Sequence, residues 1–478
     1  MKSSKIRKLD GETKRKTFIK IGIVLLILVS FFGGYFAQYA LRGSGEKVVA
    51  DFVGIMDQIG YVYDKETGEY VKLEGDKIVS LINESFLDDY SKYYTKEEYQ
   101  KILKEDSGEY NGFGISIRVK EKDDKGELQD ISLKDGTNVI YSLQGNSPAY
   151  NAGFKEGDKV LSAKLEQDMQ ITHFNNAKEL GDYIKDVAFG KPVIFTVERQ
   201  GETQPIEITC KKENYEVCYV FYKDNEKAMS FAPIFKAKMT TVEDAYNVIN
   251  ETEQVDTTFS DDVGYIKLTA FEGDAGLQFG AALKYMVDKR GKTKLVLDLC
   301  DNGGGSMSIL QQVSYYLFEK NSVRIAVAYE KLDAKEGEEF SGNYQTTYFT
   351  NDRVFNDVRH TYVNEIESIC VLANDNTASA SECLIGALMH HCQKGFSQSR
   401  LVVVDNNNDD SYTTYGKGVM QTTYELTSGG ALKITTAKVY WPDKKTCINK
   451  IGIATEVKEN KVDTYLEGLN RAVAIANS

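Results

Sequence analysis

The sequence predicts an α/β multidomain chain on three observations. An uncharged apolar run follows a basic N-terminal arm, short strands with turn signals begin at Tyr110, and strands alternate with helices from Val263 onward. The 478 residues are 42% hydrophobic and 27% charged with only 5 Pro, a composition that excludes a disordered or collagen-like chain and suffices for several cores. Lys plus Arg total 58 against 71 Asp plus Glu, and the net charge of −13 argues against nucleic acid as a partner.

Residues 1–20 form a basic arm of +6, which leaves −19 for the remainder. Residues 21–41 carry no charge, and 21 residues at about 1.5 Å each span a hydrocarbon core of about 30 Å. The run is longer than the apolar region of a signal peptide, roughly 7 to 15 residues, and lacks a small-x-small site. A retained transmembrane helix is expected, with the basic arm in the cytoplasm and the rest outside.

Residues 45–108 are expected as a small helical region, from apolar spacing over Val48–Ile59, Lys77–Leu87 and Thr95–Lys104. Residues 109–213 predict short strands around Gly112–Ile117, Asn138–Leu143 and Val193–Arg199. A short helix opens at Ser147-Pro148 and ends at Gly153, and a longer one covers Ala177–Val187. Residues 214–261 are acidic and poorly patterned, and are expected as an insertion or linker. From 262 to 478 the expected order is strand Val263–Thr269, helix Leu277–Val287, strand Lys294–Leu299, helix Ser308–Glu319, strand Ser368–Ala373, helix Ala380–His391 and strand Leu401–Val404. The chain has 7 cysteines, an odd number; Cys210 and Cys218 are close enough in sequence for a local loop, while Cys300, Cys370 and Cys383 are expected to pack as small apolar residues.

The segments GFGISI, NSPAYNAGFKEGDKVLSA and KPVIFTVERQGE resemble a PDZ domain of the bacterial protease type. Such domains take extended C-terminal peptides by strand addition, and the carboxylate-capturing loop falls on Gly112, Phe113, Gly114 and Ile115.

Two further segments carry the chemistry. Asn376-Thr377-Ala378-Ser379-Ala380-Ser381-Glu382 stands at a strand-to-helix turn, where a hydroxyl is exposed while the next amide aims at a developing oxyanion. Gly416-Lys417-Gly418 sets an amine between two glycines. Desolvation lowers a lysine pKa from about 10.4, and a neutral lysine can take a serine proton in place of histidine. Only four histidines exist, with no HExxH or C-x-x-C, so neither a zinc cage nor a histidine-based triad is indicated. Taken alone, Ser379-x-x-Glu382 is a helix capping box and Lys417 a solvated turn lysine.

Together, TASASE and GKGVMQ resemble the carboxy-terminal-processing (tail-specific) serine peptidases. Asp298-Leu299-Cys300-Asp301-Asn302-Gly303-Gly304-Gly305 and the strand Leu432–Tyr440 extend the resemblance. It implies a peptidase core of crotonase/Clp-protease-like type, with Ser379 as nucleophile, Lys417 as general base and Gln421 orienting the lysine. The implied oxyanion hole is the amides of Ala380 and Gly304, with Ser381 a bystander on the helix. No cofactor or metal is implied; Asp405, Asn407 and Asp409 only mimic the start of a calcium loop. Cys300 stands where the family has arginine, Gly303 where it has proline, and residues 405–415 look inserted. The implied function is a membrane-anchored extracytoplasmic endopeptidase acting on proteins with accessible C-termini, alone or as a homo-oligomer. The alternative is a catalytically silent PDZ scaffold that binds protein C-termini at the membrane.

Overall fold

The computed structural model describes residues 61–63, 70–72, 88–106, 109–117, 120–122, 128–130, 137–167, 169–223, 262–318, 322–335, 338–352, 364–405, 410–427 and 429–478. The expected membrane run 21–41 and the helices expected at 48–59 and 77–87 lie outside them. Among the described residues no helix is long and apolar enough to cross a membrane.

The chain divides into two units, Met1–Tyr93 and Tyr94–Ser478. In the first, β1 (Tyr61–Tyr63) and β2 (Tyr70–Lys72) pair antiparallel, so the region expected as helical also holds strands. Both strands are too short for helical and strand periodicity to be told apart in the sequence.

In the second unit, α1 (Lys96–Asp106) leads to β3 (Glu109–Gly112) and β4 (Ile115–Ser116), and β4 pairs with β5 (Ser142–Leu143). Helix α2 (Pro148–Ala152) is capped by the Ser147 side chain, which accepts from the Tyr150 N–H, and closes at Gly153. Strands β6 (Lys159–Leu165), β7 (Thr172–His173), β8 (Pro192–Glu198) and β9 (Ile206–Lys211) form an antiparallel sheet in the order β7-β6-β8-β9, with α3 (Ala177–Asp186) between β7 and β8 in the chain. Phe195 holds this small core, with Phe113 and Phe154 edge-on to it at 5.5 and 5.4 Å.

The expected insertion at 214–261 differs at its start. Strand β10 (Glu213–Glu216) pairs antiparallel with β3, and β11 (Val220–Lys223) joins the edge of the next sheet. Val217, Cys218, Tyr219 and Val220 are all buried there. A short apolar stretch between charged residues gives no period, which is why the sequence concealed both strands. Residues 224–261 lie outside the described residues.

That sheet runs β11, β12 (Val263–Leu268), β13 (Lys294–Asp298), β16 (Ser368–Asn374), β17 (Leu401–Val404) and β20 (Lys461–Val462), parallel from β12 onward. Helices α4 (Ala275–Lys284) and α5 (Met307–Leu317) precede and follow β13 in the chain. A second, antiparallel sheet runs β15 (Thr346–Thr350), β14 (Arg324–Tyr329), β19 (Ala431–Tyr440) and β18 (Val419–Glu425). Helix α6 (Ala380–His390) is buried over Ala380–Leu388, as its apolar sequence requires. The last helix, α7 (Tyr465–Asn477), packs Leu469, Ala472 and Ile475 with Val263 and Cys370.

Cys210 and Cys218 are both free thiols, so the local loop through them is not formed. Cys300, Cys370 and Cys383 are buried, and burial pushes the Cys370 thiol up to about 12.

Candidate active site

Strand β16 is buried along its whole length and delivers Asn374 to a tight turn. The Asn374 N–H donates to Thr377 Oγ1 at 2.9 Å, Thr377 Oγ1 donates to the Leu299 carbonyl at 2.8 Å, and the Ala378 N–H donates to the Asn302 carbonyl at 2.9 Å. The next residue, Ser379, has φ 56° and ψ −113°, a conformation costly for any residue with a Cβ. Such strain persists only when the surroundings dictate it, and here they thrust a hydroxyl out ahead of α6. Ser381, two residues on, is fully buried and donates to the Asn302 carbonyl at 3.0 Å. It lies on the helix as expected.

The turn after β13 is built against this elbow. Asp298 Oδ1 accepts the Cys300 N–H at 2.8 Å, and the Asp301 N–H donates to Asn374 Oδ1 at 2.9 Å. Gly304 has φ 98°, and a Cβ there would lie 2.7 Å from the Ser379 Cβ and 2.9 Å from the Ala380 nitrogen. Only glycine permits both that backbone and that approach. The Gly304 N–H donates to Asn302 Oδ1 at 2.9 Å. The motif showed that glycines were needed but not which amide the Asn302 side chain would take. Gly305, with φ 137°, lines the cavity that holds Ser379.

Lys417 reaches the same place from the other sheet. Gly416 has φ 86°, and a Cβ on it would come within 2.8 Å of the Ile451 and Gly452 nitrogens, so the Lys417 segment is held against that loop. A cavity of about 580 Å³ brings together Ser379, Lys417 and Gln421 with Gly305, Met307 and Phe349. The Gln421 amide donates to Thr435 Oγ1 at 3.1 Å, and the register steps there from Met420–Ala437 to Gln421–Thr435, leaving Thr436 as an extra residue on β19. The residues Gly112, Phe113, Gly114 and Ile115 belong to the smaller domain, where Phe113 is a core residue.

One residue that the sequence marked only as a helix cap ties the halves together. The fully buried Glu382 accepts the Ser379 N–H at 2.8 Å, the Gly416 N–H at 2.8 Å and the Lys417 N–H at 3.0 Å, and also the Thr414 hydroxyl. Burial raises its pKa above the ordinary carboxylate value, and these donors pull it back down. One carboxylate thus sets the serine elbow relative to the lysine loop. The S-x-x-E spacing was its only signal in the sequence.

A serine at a strained strand-to-helix elbow, sharing a cavity with a lysine, defines a serine-type hydrolase. Residues 262–396 and 411–458 match peptidase family S41, and the chain is a serine peptidase similar to the carboxy-terminal-processing proteases. It is 25% identical over 407 residues to a carboxy-terminal-processing protease of Bartonella bacilliformis, covering 84% of this chain and 74% of that one. A CtpA-like serine protease of Staphylococcus aureus is 26% identical over 442 residues, covering 90% and 70% respectively. A solved photosystem II D1 C-terminal processing protease is 17% identical, covers 90% of this chain and 96% of its own, and superposes with a TM-score of 0.43.

Proposed function

We propose that the chain is a membrane-anchored, extracytoplasmic endopeptidase that cleaves proteins engaged through their C-terminal tails with a Ser379/Lys417 dyad. The observation that carries this reading is the shared cavity of Ser379, Lys417 and Gln421, with Glu382 clamping the backbone of both catalytic segments. Lys417 takes the Ser379 proton as the hydroxyl attacks a peptide carbonyl and returns it to the leaving amine; water then hydrolyses the acyl-enzyme. The oxyanion falls to the Ala380 N–H and to an amide of the turn at Gly304, which lies against Ser379. Gln421 steadies the approach of Lys417 from β18.

Residues 109–213 act as a PDZ domain. Its groove lies between β4 and α3, supported by Ile117, which is 3.5 Å from the Cβ position of Gly181. The basic arm and the apolar run at 21–41 anchor the chain, and the peptidase portion lies outside.

Incubating the full chain and its Ser379→Ala and Lys417→Ala forms with an unfolded protein tests the dyad. Cleavage by the wild type alone is expected, and equal cleavage by all three sinks the reading. A serine-directed phosphonate separates the peptidase from a silent scaffold: Ser379-dependent labelling is expected of the former only.

A further inference from the structure

The catalytic cavity contains a second lysine that the dyad does not use. Lys433, on β19, lines the cavity with Ser379 and Lys417, and it is half-buried. Among the described residues its ammonium makes no ion pair or hydrogen bond. Glu272, the carboxylate of the same lining, has an interaction of its own. The neighbouring lining includes Met307, Ile309, Phe349 and Met420, so water is partly displaced by apolar surface. An ammonium in such surroundings gains from a counter-charge, and a substrate is the group able to bring one.

The strand geometry says where that charge would sit. Lys433 and Thr435 share one face of β19, where Thr435 bonds Gln421; beyond the extra residue Thr436, Val439 lines the same cavity. The Val439 N–H donates to the Gly418 carbonyl at 2.9 Å, which sets Val439 beside the Lys417 loop. Lys433 lies six residues away, about 20 Å along the strand at ~3.3 Å per residue. A lysine reach of about 6 Å shortens that to about 14 Å, the span of roughly four extended substrate residues.

We propose that Lys433 is a carboxylate-recognition point of the catalytic cavity, binding a substrate carboxylate about four residues from the scissile bond. The carboxylate belongs to the chain terminus or to an acidic side chain at that register. This deepens the peptidase reading and rests on it for the nature of the ligand.

The test is a binding measurement that needs no turnover. Full-length Ser379→Ala protein, with and without Lys433→Met, is titrated with a fluorescent extended peptide in three forms: free C-terminal acid, C-terminal amide, and amide with Glu as the last residue. With Lys433 present, amidation is expected to weaken binding about tenfold. With Lys433→Met, acid and amide should bind alike, and Lys433→Arg should restore the difference. Recovery of affinity by the terminal Glu assigns recognition to a carboxylate of either source, and its absence assigns recognition to the chain terminus. An amidation penalty of equal size in Lys433→Met overturns the proposal, as does no penalty with Lys433 present. A wild-type chain that cleaves none of the peptides while the Lys433 coupling persists would sink the peptidase reading and leave this one standing.

Discussion

Gly304 and Glu382 show how single residues fix this site. A methyl group on Gly304 would force a left-handed backbone on alanine and meet Ser379 and Ala380 within 3 Å. Gly304→Ala is therefore expected to lower kcat/KM at least about a hundredfold, while the thermal midpoint falls by only a few degrees. Retention of more than a tenth of the activity would refute the close-approach role. Glu382 makes a pH prediction with a definite sign. Its folded pKa lies above that of the unfolded chain because burial penalises the anion. Across the window from the ordinary glutamate value of about 4.3 up to the raised value, the folded state binds more protons than the unfolded one. This group's contribution to stability is thus full below that window and declines as pH rises through it. Urea midpoints measured from pH 4 to 7 should lose that downward component in Glu382→Gln; an unchanged slope would contradict the assignment.

At the scale of elements, the smaller domain is pinned by one ion pair. Arg199 Nε and Nη2 donate to the two oxygens of Asp158 at 2.7 Å each, and Asp158 is fully buried. The same guanidinium donates to the Gly153 carbonyl at 2.8 Å, joining the end of α2 to β8. Arg199→Ala leaves a buried carboxylate without its cation and should cost about 3 kcal/mol, read as earlier unfolding of this domain by hydrogen exchange. Loss below 1 kcal/mol would show that the pair is solvated. Elements of this kind were legible because their signals are local: Ser147-Pro148 and Gly153 bracket α2, and β16 and α6 are long and uniformly apolar. Strands β10 and β11 were not legible, since their partners β3 and β12 are distant in sequence and pairing leaves no mark on composition. The site divides the same way. Ser379, Lys417 and Gln421 stood out as spaced motifs and do share a cavity. The Asn302 side chain that takes the Gly304 amide, and the reach of Glu382 to a loop 35 residues on, depend on tertiary folding alone.

On the scale of the whole second unit, the smaller domain is an excursion from the peptidase core. The chain leaves along β3 and returns along β10, which pair from Glu109 with Glu216 to Gly112 with Glu213, so the domain's ends are adjacent. Tyr110 and Tyr215 stack at 5.9 Å across that ladder. The domain also touches the site's own scaffold: the Asn376 amide donates to the Tyr141 hydroxyl at 3.3 Å and to Asp301 Oδ1 at 2.9 Å, three residues before Ser379. Adjacent ends make the excursion separable in folding, since closing a short linker there costs little loop entropy. Contact at Asn376 makes it a contributor to the positioning of the elbow. Replacing residues 113–212 by a short Gly/Ser linker should therefore leave a core that folds and still labels at Ser379 with a phosphonate, several-fold more slowly. Its cleavage of an unfolded protein should fall further than its labelling if the domain captures tails as proposed. Tyr141→Phe in the full chain isolates the first effect, lowering kcat by about twofold to fivefold at constant KM. Complete loss of labelling on excision would instead make the domain part of the core's folding unit, and equal losses in labelling and protein cleavage would remove tail capture from its role.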